Sequence, residues 1–146
     1  MGACERRVAE FVVETDPDAI PAESYRAAAQ AAFDCVGVAL AGGAQPQGRM
    51  IVDFVEAQGG NTACTILGNR LRTSPYLAPL AKGTLGHALD YHDMGGFGHP
   101  SVALLPTALA VGEQLGKSGR EILTAYIVGF EIAVNLNKGA ENVQGL

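Results

Sequence analysis

Residues 118–133 read Ser-Gly-Arg-Glu-Ile-Leu-Thr-Ala-Tyr-Ile-Val-Gly-Phe-Glu-Ile-Ala. Ser118 and Glu121 stand at the spacing of a capping box. In that motif the serine hydroxyl accepts from a main-chain N–H one turn on, and the carboxylate accepts from the serine's own N–H. Beyond them Ile122, Leu123, Tyr126, Ile127, Phe130 and Ala133 share one face at a period of about 3.6 residues. A capped start followed by a one-sided apolar stripe is an amphipathic helix. A stripe this apolar has to be covered by further helices.

The preceding residues supply them. Pro100 suits the first position of a helix over 100–115, Gly116 stops it, and Pro106 is expected to bend it. Ser74-Pro75 opens another helix, with Pro79 near its beginning, expected to run to about Asp90. Residues 62–67, followed by Gly68-Asn69 and Leu71, read as a small β-hairpin. A helix over 47–58 turns Met50, Ile51, Phe54 and Val55 inward and is closed by Gly59-Gly60-Asn61. Between Pro21 and Gly42-Gly43, the residues Tyr25, Ala29, Ala32, Val36 and Leu40 form a second long helical stripe. Val8, Phe11 and Val12 face one side of a first helix over 4–14, ended by the turn Thr15-Asp16-Pro17-Asp18. The expected fold is all-α: a single domain over 1–146, a bundle of about six helices with at most one small hairpin.

Composition agrees. The chain has 146 residues, 48% of them apolar and 17% charged, and a mean hydropathy of +0.16, which argues against disorder. A net charge of −5 argues against nucleic acid or an anionic membrane surface as partner. With 23 Ala, 19 Gly and no Trp, burial has to come from backbones packed closely together. So small a core and so apolar a last helix point to a partner surface, with a two-fold homodimer as the expected form. Cys4, Cys35 and Cys64 have no CxxC spacing and read as reduced thiols of a cytoplasmic protein. The N-terminus lacks the apolar region of a signal peptide, and its Met-Gly-Ala-Cys start carries Arg6 where a myristoylation signal needs Ser or Thr. The longest apolar run, 35–44, is too short to span a membrane.

All three histidines fall within His87-Ala-Leu-Asp90-Tyr-His92-Asp93-Met94-Gly-Gly-Phe-Gly-His99-Pro100-Ser101. Three imidazoles and two carboxylates in so short a stretch make it the candidate site. His87 and Asp90 share a helix face, where a plain local hydrogen bond near the helix C-terminus is an equally good reading. His99-Pro100-Ser101 opens the next helix. Main-chain N–H groups there lack intrahelical partners and form a ready carboxylate or phosphate site, beside a histidine able to give or take a proton. The loop 92–99 is expected to join two helix ends facing one pocket, with Asp90 and His99 directed into it. The histidine and aspartate spacing matches no established metal motif, and the glycines lack the strand and the Gly-Lys-Ser/Thr of a nucleotide loop, so no metal or cofactor is expected.

Several stretches resemble the MmgE/PrpD family, which includes 2-methylcitrate dehydratase and cis-aconitate decarboxylase. They are Asp34-Cys-Val-Gly37, Thr65-Ile-Leu-Gly68, Ala81-Lys-Gly83-Thr84-Leu-Gly-His87-Ala-Leu-Asp90, His99-Pro-Ser101 and Ala125-Tyr-Ile-Val-Gly129-Phe-Glu131. The resemblance implies a helical domain carrying part of a metal-free lyase site for small di- and tricarboxylates. It places Asp90 and His99 as catalytic positions, with His87, His92, Asp93 and Ser101 around the substrate. The sequence departs from the family pattern at His92 and Met94, where an Asp and a Thr are usual, at Lys82 for Asn, and at Asn135 for Arg. The family's second, α+β domain and its later lysine and histidine have no counterpart in these residues. Two function classes follow: a lyase-like polycarboxylate site, incomplete by itself, or a non-catalytic helical homodimerisation module derived from that family.

Overall fold

The computed structural model describes residues 2–91, 93–94 and 98–144. Among them are six helices and one two-stranded sheet: α1 (Ala3–Glu14), α2 (Ala22–Gly42), α3 (Pro46–Gln58), β1 (Cys64–Thr65), β2 (Arg72–Thr73), α4 (Leu77–His87), α5 (Pro100–Gln114) and α6 (Gly119–Gln144). The strands pair antiparallel, Cys64 opposite Thr73 and Thr65 opposite Arg72. The all-α architecture and the single hairpin are those expected. The capping box is formed too: Ser118 N–H and Oγ–H donate to Glu121 Oε2 at 2.9 and 2.8 Å, and Glu121 N–H donates to Ser118 Oγ at 3.3 Å. No single helix among the described residues is long and apolar enough to cross a membrane.

α4 is the centre of the bundle, set against α2, α3 and α5, while α6 covers α5 and α2. These crossings use the small residues. A Cβ on Gly42 would lie 2.0 Å from the Leu85 carbonyl oxygen, so α2 and α4 meet backbone to backbone. A Cβ on Gly86 would lie 2.9 Å from Val102 Cγ2, so α4 makes room there for a side chain of α5. One core lies under the hairpin, built of Ala39, Val55, Ile66, Ala81 and Leu85. A second joins α2, α5 and α6 through Ala28, Cys35, Leu105 and Tyr126.

Several expectations need correcting. The buried stripe of α2 is Ala28, Cys35, Ala39 and Gly42, and Ala29 and Leu40 are exposed. Tight crossing selects the smallest residues and turns Leu40 and Phe33 outward. In α3 only Val55 and Gly48 are buried, Ile51 is half-buried, and Met50 and Phe54 face solvent. No residue of α1 is buried. α4 ends at His87 rather than near Asp90, because Asp90 adopts φ +56°, which no continuing right-handed helix allows.

Candidate active site

The site is a corner between the end of α4 and the start of α5. Past His87 the chain makes a turn in which Asp90 N–H donates to the His87 carbonyl at 3.2 Å. The left-handed conformation of Asp90, tolerated by a short polar side chain, turns its carboxylate back along the corner. Asp90 Oδ1 lies 3.3 Å from His99 Nε2 and 3.8 Å from His87 Nδ1. The two imidazole rings are 5.5 Å apart, tilted by 54°. Two histidines, at the end of α4 and the start of α5, thus share one carboxylate oxygen.

His99 is the N-cap residue of α5, with Pro100 in the first turn. Its Nδ1 lies 2.9 Å from the Asp93 main-chain oxygen. A carbonyl only accepts, so Nδ1 carries the hydrogen in that bond. The atom left for proton exchange is Nε2, the one that faces Asp90. Asp90 is 71% exposed and His99 23%, so the pair is open to a dissolved ligand.

Behind this pair stands a second, buried set. Ser101 Oγ–H donates to Asp93 Oδ2 at 2.7 Å and lies 2.5 Å from the Tyr126 hydroxyl. The serine is 1% exposed and the tyrosine 4%. The other carboxylate oxygen, Asp93 Oδ1, is buried without a hydrogen-bond partner among the described residues. Burial pushes the Cys35 thiol up to about 11, helped by the nearby charges of Asp93 and Asp34. Burial also raises the Tyr126 phenol, more than its bond to Ser101 lowers it. Both groups therefore stay protonated at neutral pH.

Of the residues expected at the site, Asp90, His99 and His87 are brought together, and Asp93 touches His99 through its main chain. Ser101 is sealed inside, with its hydroxyl engaged by Asp93 and Tyr126. His92 lies outside the described residues, as do Gly95, Gly96 and Phe97 of the loop. A cavity of about 330 Å³ between α2 and α6 is lined by Asp93, Tyr126, Ser24, Ala28, Phe130 and Glu131, but not by Asp90 or His99. Among the described residues no three His, Cys, Asp or Glu side chains are grouped so as to hold a metal ion. Tyr126 was read only as part of the apolar face of α6. The available signal is its hydroxyl, since a buried tyrosine O–H usually finds a partner, but nothing in the sequence points to Ser101 as that partner.

A second polar cluster, away from the corner, was also missed. Lys82 on α4 is 1% exposed, and its Nζ lies 3.6 Å from Glu113 Oε2. Arg72 reaches Glu113 Oε1 at 3.3 Å, and the Thr65 N–H and hydroxyl donate to Oε2 at 2.9 and 3.0 Å. This cluster ties the hairpin to α4 and α5.

The sequence profile of the MmgE/PrpD N-terminal domain matches residues 6–143. The chain belongs to the MmgE/PrpD family. It is also similar to the cis-aconitate decarboxylase-like protein oryM of Aspergillus oryzae, at 29% identity over 143 aligned positions that cover 89% of this chain and 29% of that protein. The chain thus spans less than a third of the length of that relative. The segments that carry the family likeness include both halves of the corner, Ala81 to Asp90 and His99 to Ser101.

Proposed function

We propose that the α4–α5 corner binds the carboxylate groups of a small di- or tricarboxylate and forms part of a lyase site, of the kind named by the cis-aconitate decarboxylase-like relative and by the 2-methylcitrate dehydratases of the family. The observation that carries this reading is the 3.3 Å approach of His99 Nε2 to Asp90 at the first residues of α5. Dehydration or decarboxylation of such acids moves a proton at carbon while carboxylates are held in place. His99 supplies the proton-transferring nitrogen, and a proton received at Nε2 sits beside the Asp90 carboxylate. The N–H groups of the first turn of α5 and the histidines supply attraction for anionic groups. Asp90 and His99 act as catalytic residues, with His87 beside them.

Binding without substantial turnover is the expected behaviour of the 146-residue protein. Met94 cannot donate a hydrogen bond where the family pattern has a hydroxyl. Asn135, standing for the usual arginine, donates instead to Glu131 of its own helix at 2.7 and 2.8 Å. Carboxylate-holding cations and an acid–base pair on opposite faces of the reacting bond are what a complete site needs.

Calorimetric titration with citrate, cis-aconitate and 2-methylcitrate tests the reading. Saturable binding that weakens about 10-fold to 100-fold in His99→Ala is expected, the worth of one charge-assisted hydrogen bond. If none of the three binds, the reading fails and the second function class stands. That class is favoured by the outward faces of α2 and α3, where Phe33 is 85% and Met50 69% exposed. Self-association as a two-fold dimer in the cytoplasm fits either class. Light scattering at micromolar concentration measures it.

A further inference from the structure

We propose that Tyr126 and Ser101 are positioning residues for His99, acting through Asp93 to fix which ring nitrogen is left for proton transfer; this rests on the reading of His99 as the acid–base group. The argument is a count of protons. Ser101 has one hydroxyl hydrogen, and its geometry gives that hydrogen to Asp93 Oδ2. The 2.5 Å contact with Tyr126 is therefore a bond in which the phenol donates and the serine oxygen accepts. The chain runs one way only, from Tyr126 O–H to Ser101 O–H to the Asp93 carboxylate.

Asp93 depends on that chain. Its Oδ1 is buried and has no hydrogen-bond partner among the described residues, and the Ser101 bond holds the other oxygen. The same residue presents its main-chain oxygen to His99 Nδ1 at 2.9 Å. Held there, the carbonyl competes for the ring hydrogen with Asp90 Oδ1, 3.3 Å from Nε2, and its shorter 2.9 Å contact keeps the hydrogen on Nδ1. Free imidazole side chains favour the opposite tautomer, with the hydrogen on Nε2, so the preference has to be imposed by the protein. Tyr126 is placed to impose it because its ring is fixed in the α2–α5–α6 core, against Phe130 at 5.9 Å between ring centroids. A rigid element thereby sets the chemistry of a partly exposed histidine three hydrogen bonds away.

The test is the tautomer of His99, read from long-range proton–nitrogen NMR correlations of the imidazole in the ligand-free protein, at a pH where the ring carries a single proton. The His99 signals are assigned by their loss in His99→Gln. The wild-type ring is expected to show Nδ1–H. Ser101→Ala and Tyr126→Phe are expected to lose that signature and shift toward Nε2–H. Phe130→Leu disturbs the packing beside Tyr126 but leaves the hydroxyl chain intact, and it is expected to keep the wild-type pattern. A ring that stays Nδ1–H in both hydroxyl variants overturns the proposal, as does an equal shift in Phe130→Leu. Should Ser101→Ala fail to fold, Tyr126→Phe decides alone. No ligand enters the measurement, so failed polycarboxylate binding and a failed tautomer prediction are told apart.

Discussion

Replacing Glu113 with Gln removes one charge and almost no volume, yet it should destabilise the fold more than replacing its partner does. Lys82 is sealed at 1% exposure, whereas Glu113 is 27% exposed. Burial lowers the Lys82 pKa, and the charge and hydrogen bond of Glu113 oppose that fall. For Glu113, burial pushes the carboxyl up, but the two Thr65 hydrogen bonds, then Lys82 and Arg72, hold it below its ordinary range. Without the Glu113 charge, a buried ammonium loses its counter-ion. Without Lys82, the carboxylate keeps Arg72 at 3.3 Å, Thr65 and some water. Leaving a sealed charge without its partner costs about 3–5 kcal/mol, and the partial exposure of Glu113 places Glu113→Gln near the lower end, about 3 kcal/mol. Lys82→Met fills a similar volume and should cost about 1 kcal/mol or less. The double variant should lie nearer Lys82→Met than Glu113→Gln. Urea unfolding followed by circular dichroism at pH 7 measures all three. The lowered Glu113 pKa contributes stability that is present above its ordinary value of 4.5 and is lost as pH falls through the lowered one. The gap between wild type and Glu113→Gln should therefore narrow in acid. Equal losses in the two single variants would refute this reasoning.

Gly42→Ala places a Cβ 2.0 Å from the Leu85 carbonyl oxygen, and forcing α2 and α4 apart should cost about 1–3 kcal/mol, read as a lower urea midpoint. Asp90→Gly relieves a left-handed conformation at φ +56° and should stabilise the fold by about 1 kcal/mol in the same assay, while removing the carboxylate beside His99. The Glu121 carboxyl is held down to about 2, first by Lys117 and then by the N–H and hydroxyl of Ser118. Its contribution is therefore complete above its ordinary 4.5 and lost as pH falls toward 2. Side-chain carboxyl NMR should show that low midpoint in wild type and a higher one in Ser118→Ala.

Where a local signal is chemically distinct, the sequence and the structure agree. The capping box at Ser118, Pro100 at the start of α5 and the hairpin around Gly68-Asn69 depend on neighbours a few residues apart. The phase of α2 does not. Ala27, Ala28, Ala29, Ala31 and Ala32 read alike on every face, so large side chains set the expected stripe. Backbone contact at Gly42 sets the real one, and it excludes Leu40. The site divides in the same way. The density of histidine and aspartate between 87 and 101 marks the corner, and its residues are near in sequence. The burial of Ser101 and the Tyr126 chain depend on how α6 lies against α5. Lys82 and Glu113 are 31 positions apart and meet only because α4 and α5 cross.

The Asp90–His99 corner is the proposed polycarboxylate site. A proton–nitrogen NMR titration of the 146-residue protein with cis-aconitate tests it most directly, with assigned main-chain amides as reporters. Saturable shifts concentrated at residues 87–90 and 99–103 are expected, and they should be lost in His99→Ala with the rest of the spectrum intact. Shifts centred elsewhere in the chain, or shifts at the corner that persist unchanged in His99→Ala, would contradict it.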